Sequence, residues 1–211
     1  MLHLIRIGFL TLLTSVLIMT AVQADDHGRY REGQHYTRLA TPLPALEPSA
    51  AKHEVVELFW YGCSHCNDFD PYLEIWKVKT RADVNLVRVP AIFNPRWEQH
   101  ARAFYALELM GDLEKVHTLI FEAIHDQGRS LHNVGSMARF LGSHGIDEDE
   151  FREAFDSFAV ETKINRAKQL IRDYQVTGVP AIIVDGTYKV TGSSAGGYQQ
   201  LIGVIEMLTK D

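Results

Sequence analysis

The only two thiols in a chain of 211 residues, Cys63 and Cys66, stand two residues apart in Phe59-Trp60-Tyr61-Gly62-Cys63-Ser64-His65-Cys66-Asn67-Asp68-Phe69. Three chemistries compete for such a pair: a structural disulfide, half of a metal site, and a redox-active dithiol. A zinc site needs about four ligands. The chain has ten histidines, but no His pair with finger-like spacing accompanies the two cysteines. A structural disulfide gains most by closing a long loop in the unfolded chain, and a Cys63–Cys66 bridge closes almost none. The redox dithiol is the reading the neighbours favour. At the end of a strand and the start of a helix, Cys63 would meet unpaired backbone N–H groups and the positive end of the helix dipole, both of which favour thiolate. His65 can add a donor or a positive charge toward Cys63; its other reading is a solvated loop histidine. Cys63 is expected to be the exposed, attacking sulfur, with Cys66 one turn along, buried and resolving. Each pKa unit by which thiolate is favoured is about 1.4 kcal/mol. The same free energy stabilises the reduced form and makes the disulfide a stronger oxidant.

Those positions require a strand ahead of the cysteines and a helix behind them. Glu54 to Tyr61 is β-branched, aromatic and nearly continuous in hydrophobicity, as a strand buried on both faces is. From Cys66 to about Lys79, Phe69, Leu73, Ile75, Trp76 and Val78 approximate a helical face, with Pro71 as an expected kink. Val84 to Val89 alternates as a strand, completing a βαβ unit on a parallel sheet. About eighty residues of helical pattern follow: Glu98 to Met110 stopped by Gly111, Leu113 to His125, Val134 to Leu141, a helix capped by Asp147 with Glu150, and Phe158 to Tyr174. Ala181 to Val184 and Tyr188 to Val190 then flank Asp185-Gly186, a tight-hairpin signal. Gly196-Gly197 precedes a last amphipathic helix, Tyr198 to Leu208. The glycine-rich run at 192–198 lacks the Lys and Ser/Thr pattern of a phosphate loop. Phe104, Leu107 and Met110 read as core of the helical block.

Residues 1–24 have one positive charge at Arg6, an apolar stretch from Ile7 to Met19 and small residues before Asp25, as a cleaved secretory signal peptide does. Gly8, Thr11, Thr14 and Ser15 interrupt the stretch, which falls short of the ~20 apolar residues of a membrane span. Export would place the cysteines among oxidants. The chain carries 21 Lys and Arg against 27 Asp and Glu, and no basic patch of the kind nucleic-acid binding wants. Residues 25–52 hold Pro42, Pro44 and Pro48 and read as an extended segment.

Far from the cysteines, Val176-Thr177-Gly178-Val179-Pro180-Ala181 immediately precedes a strand. Pro180 reads either as a turn proline at a strand start or as a cis proline facing the disulfide, with the Val179 backbone free to pair with an extended peptide.

Together, the signal peptide, VVELFWYGCSHCNDF, the interposed helical block and TGVPA before strand, turn, strand and helix resemble the DsbA family of bacterial periplasmic thiol:disulfide oxidoreductases, across essentially all of the chain beyond residue 24. The resemblance implies an α/β, thioredoxin-like fold (βαβ…ββα) with an inserted α-helical domain: residues 25–91 and 176–211 form the thioredoxin-like domain and 92–175 the insertion. It implies that Cys63 is the nucleophile, Cys66 its buried partner, and His65 the histidine that stabilises thiolate. Val179 and Pro180 match the family's cis-proline loop. Glu57 falls where the family carries a buried acid, Asp70 where many members have glutamate, and Arg88 where a basic residue is common. An acid there could accept the Cys66 proton; a surface ion pair is the other reading of these three. The chain departs from the family at Ser64, which stands where many members have proline. Serine restores a backbone N–H and adds a hydroxyl, so the reduction potential is open to change. Implied with the family are disulfide donation to reduced exported proteins, a membrane-embedded quinone-linked reoxidase of the DsbB type, and no cofactor. The chain is expected to act as a monomer. A reductase or isomerase on the same scaffold, or a peptide-binding chaperone, is the rival reading.

Overall fold

The computed structural model describes residues 28–80 and 82–210; the expected signal peptide lies outside them. A five-stranded sheet of β1 (Thr37–Arg38), β2 (His53–Phe59), β3 (Val84–Pro90), β4 (Ala181–Val184) and β5 (Tyr188–Thr191) has the order β1-β5-β4-β2-β3. Only β2 and β3 run parallel, joined by α1 (Ser64–Thr80). Between β3 and β4 lie α2 (Pro95–Met110), α3 (Leu113–His125), α4 (Val134–Gly142), α5 (Glu148–Phe155) and α6 (Phe158–Asp173); α7 (Gly192–Ala195) and α8 (Tyr198–Leu208) close the chain.

β2 is an interior strand between β4 and β3, and its alternate residues feed two cores. Val56 and Leu58, with Ala181 and Ile183 of β4, join a core that continues through the helices α2–α6. Val55, with Ile182 and Val184, faces Phe69, Leu73 and Trp76 of α1 and Leu201, Val204 and Ile205 of α8. The near-continuous hydrophobicity of β2 therefore reflects cover on both faces. Glu57, two residues from Val55, shares the face beneath α1.

Most expected elements are present, with differences at their ends. α2 begins at Pro95 rather than Glu98, because the Asn94 side chain accepts from the backbone N–H groups of Arg96 and Trp97 and Pro95 supplies the first helical residue. Asp147 caps α5 through Asp149 and Glu150 N–H groups, without a return bond from Glu150. Asp185 and Gly186 both take positive φ, 49° and 57°, as the two-residue hairpin between β4 and β5 demands. The segment before β2 contributes an unexpected edge strand: Thr37 pairs with Lys189 and Arg38 with Tyr188. α7 was also unexpected; Thr191 and Ser194 form its capping box. Phe104 and Leu107 are buried, whereas Met110 is only half-buried against the core.

Candidate active site

Cys63 immediately precedes α1, in the N-cap position. Its carbonyl accepts from the N–H groups of Cys66 and Asn67, both at 3.1 Å. Its sulfur faces the backbone N–H groups of His65 and Cys66, the donors that a Ser or Asp oxygen satisfies at other helix starts. A sulfur satisfies them best as thiolate. The Cys66 thiol, donating to Cys63, is the largest influence lowering the Cys63 pKa; burial opposes it, and the two N–H groups and His65 add to it, so that Cys63 falls from 9.0 to about 6. Burial and the neighbouring Cys63 push Cys66 well above its usual range. Cys63 is half-buried and Cys66 fully buried. At neutral pH the inner sulfur therefore holds a proton while the outer one has released its own.

The loop before Cys63 is fixed from three directions. Trp60 stacks on Trp97 of α2, ring centroids 4.2 Å apart, and a Cβ at Gly62 would overlap the Trp60 indole. The His125 Nε2–H donates to the Tyr61 carbonyl at 2.8 Å. Opposite Cys63, the Val179–Pro180 peptide bond is cis, and the Val179 carbonyl oxygen lies 3.6 Å from the Cys63 Sγ, where it accepts from the thiol whenever Cys63 is protonated. A groove of ≈510 Å³ opens beside this pair, lined by His65, Val179, Pro180, Lys189, Ser193 and Tyr198 among others.

His65 is exposed in the first turn of α1, and its Nδ1 lies 3.0 Å from the Tyr198 hydroxyl. Ser64, at the first helical position, is exposed, and its side chain makes no hydrogen bond among the described residues. The expected acid and base residues meet beneath α1. Arg88 Nε donates to Glu57 Oε2 at 3.0 Å, and its Nη2 lies 3.6 Å from Asp70 Oδ1 and pairs with Glu74. All but Glu74 are buried, so these residues are not a surface pair. Burial raises Glu57 to about 7 despite Arg88, with Asp70 adding to the rise. Burial also pushes Asp70 upward, but His117, Arg88 and the Thr118 hydroxyl outweigh it and hold Asp70 below its usual value.

Sequence reasoning did not anticipate His117, Thr118, Tyr61 or Tyr198. Buried His117 is kept neutral chiefly by desolvation. Tyr61, its pKa raised well above 10 by burial, donates its hydroxyl proton to His117 Nδ1 at 2.8 Å. The ring then carries its proton on Nε2, 3.5 Å from Asp70 Oδ1. His117 and Thr118 arrive from α3 and Tyr198 from α8, where no local pattern in the sequence marks them, whereas Tyr61 stands in the loop itself, two residues before Cys63.

A dithiol capping a helix opposite a cis proline, on this strand order, prompts comparison with known proteins. The model of the DSBA-like thioredoxin domain matches residues 54–196. The chain belongs to that family. The thiol:disulfide interchange protein DsbA of Pseudomonas aeruginosa is 42% identical over 202 residues, 93% of each chain. That of Azotobacter vinelandii is 45% identical over 176 residues, 83% of this chain and 81% of its own. A crystal structure of Pseudomonas aeruginosa DsbA superimposes with a TM-score of 0.81 at 41% identity, covering 86% of this chain and 94% of that one. DsbA from Xylella fastidiosa gives 0.78 at 32% identity, covering 84% and 94%. This DsbA-family chain has the thioredoxin-like fold and is a thiol:disulfide oxidoreductase acting on protein thiols.

Proposed function

We propose that the Cys63–Cys66 disulfide is donated to newly exported proteins, with Cys63 as the sulfur that is attacked. A substrate thiolate attacks the Cys63 Sγ, the S–S bond breaks, and Cys66 leaves and takes up a proton. A second substrate thiolate then attacks the substrate sulfur of the mixed disulfide, and Cys63 leaves as thiolate. Two substrate thiols become a disulfide, and the Cys63–Cys66 disulfide becomes a dithiol. The observation that carries this direction is the capped Cys63 sulfur, held at about pKa 6: a low-pKa thiolate is a good leaving group, and its stabilisation favours the reduced enzyme.

In this reading His65 supports the thiolate, and Glu57, with Arg88 and Asp70 around it, is the acid that takes up or returns the Cys66 proton. The Val179 backbone and Pro180 face the docked substrate chain, whose extended backbone can pair beside the groove. Ser64 sets no part of the thiolate's hydrogen bonding. Residues 25–91 and 176–211 act as the catalytic thioredoxin-like domain and 92–175 as an insertion over one of its faces. The chain works as a monomer in the periplasm after cleavage of a signal peptide near Ala24, and a membrane-embedded, quinone-linked partner of the DsbB type reoxidises it.

The test mixes oxidised protein with a reduced dithiol peptide. Cys66→Ser, charged with an activated disulfide on its remaining thiol, is expected to pass through a peptide mixed disulfide on Cys63, and the native protein to yield oxidised peptide stoichiometrically. A mixed disulfide on Cys66 in the native protein, or no peptide oxidation, would overturn the assignment.

A further inference from the structure

Tyr198 is 133 residues from His65 in sequence, and its hydroxyl is 3.0 Å from the His65 Nδ1. The phenol ring is seated before it reaches the histidine. It packs against Phe69 and Tyr72 of α1, with centroids 5.7 and 5.9 Å away. A Cβ at Gly192 would lie 3.6 Å from its ring. Gly196 and Gly197, at φ 91° and 136°, turn the chain sharply between α7 and α8, so that the first residue of α8 lies against the first turns of α1. Positive φ is open to glycine at little cost.

We propose that Tyr198 is a positioning residue for His65, its hydroxyl holding the imidazole in one orientation beside Cys63 through both protonation states of the ring. A hydroxyl suits this task because it both donates and accepts. It donates to Nδ1 of the neutral ring and accepts from Nδ1–H of the cation, and the second bond is charge-assisted and the stronger. Tyr198 thus keeps the imidazole in place at 3.0 Å, where a donor or positive charge directed at Cys63 favours its thiolate. Burial raises the Tyr198 pKa from 10.0, so the phenol keeps its proton at neutral pH. The charged and titratable groups facing the pair are Asp68 and Tyr72 of α1 and the two cysteines, none of which replaces the hydroxyl at Nδ1.

The inference rests on the reading that His65 supports the Cys63 thiolate, and the experiment separates the two. Thiolate absorbance is titrated in the reduced native protein, Tyr198→Phe, His65→Leu and the double variant. Phenylalanine keeps the ring packing and removes only the oxygen. Tyr198→Phe is expected to move the Cys63 equilibrium about two- to five-fold toward thiol, and to add nothing in the His65→Leu background. If His65→Leu shifts the titration and Tyr198→Phe does not, Tyr198 has no positioning role. An equal Tyr198→Phe shift in both backgrounds overturns the inference as well. If His65→Leu itself leaves the titration in place, the reading of His65 fails first.

Discussion

Glu57 and Arg88 are direct partners in the parallel β2–β3 ladder, and their side chains meet at 3.0 Å beneath α1, the helix that Cys63 caps and that carries Cys66. Strand register thus places an acid and its cation on one face, and α1 covers them with Asp70 and Glu74. Burial outweighs the cation for Glu57, which titrates near neutrality, in the range a proton acceptor for Cys66 requires.

Glu57 binds its proton more tightly in the folded protein than in the unfolded chain, at about 7 against 4.5. The stability it adds is complete below pH 4.5 and is lost as pH rises through 7. Glu57→Gln is expected to remove this slope, so that the fall in unfolding free energy from pH 4.5 to 8 shrinks by about 1–3 kcal/mol. Denaturant melts of the oxidised protein across that range measure it; parallel curves for both proteins would contradict a carboxyl whose burial outweighs its pairing with Arg88.

Gly62→Ala should push the Trp60 indole off Trp97, because the new methyl occupies its place. Overpacking of this kind costs about 1–3 kcal/mol. A lowered melting midpoint together with altered tryptophan fluorescence is expected, whereas native values for both would show that the loop has room to spare.

His117→Leu strands the Tyr61 hydroxyl without its partner in the core. An unsatisfied buried donor costs about 1–3 kcal/mol, and the urea midpoint of the oxidised protein at pH 7 should fall accordingly. An unchanged midpoint would mean that the hydroxyl contributes nothing to the packing between α3 and the active-site loop.

Ser64→Pro should be tolerated. Position 64 opens α1, where proline's fixed φ suits a helix and its missing N–H is not needed, and the extended backbone that proline asks of the residue before it is the usual one for an N-cap. Stability within about 0.5 kcal/mol of native is expected from thermal melts; a larger loss would show that the Ser64 N–H is engaged.

Much of the scaffold was legible. α3, β4 and α8 begin and end where periodicity, Gly punctuation and the Asp185-Gly186 turn put them, because those signals are local. Asn94 and Pro95 carried a start signal for α2 that the apolar pattern from Glu98 concealed. Two residues of β1 show no period, and only pairing with β5 makes them a strand. For the site, spacing singled out Cys63, His65 and Cys66, while near-continuous hydrophobicity put Glu57 on one strand and alternation put Arg88 on another. Their burial depends on α1 packing over the sheet. Tyr198 and His117 reach the site only through the folded chain, so no window of sequence contains their roles.

The central claim is that Cys63, capped as thiolate, makes the Cys63–Cys66 couple an oxidising one. Its most direct test equilibrates the protein in glutathione redox buffers at pH 7 and traps free thiols with a mass-shifting alkylator. With Cys63 at about 6, about nine-tenths of it is ionised at that pH, and the account predicts that the couple stays reduced until the buffer is strongly oxidising, well above the thioredoxin range. A couple that remains oxidised in buffers as reducing as those that titrate thioredoxin would contradict it.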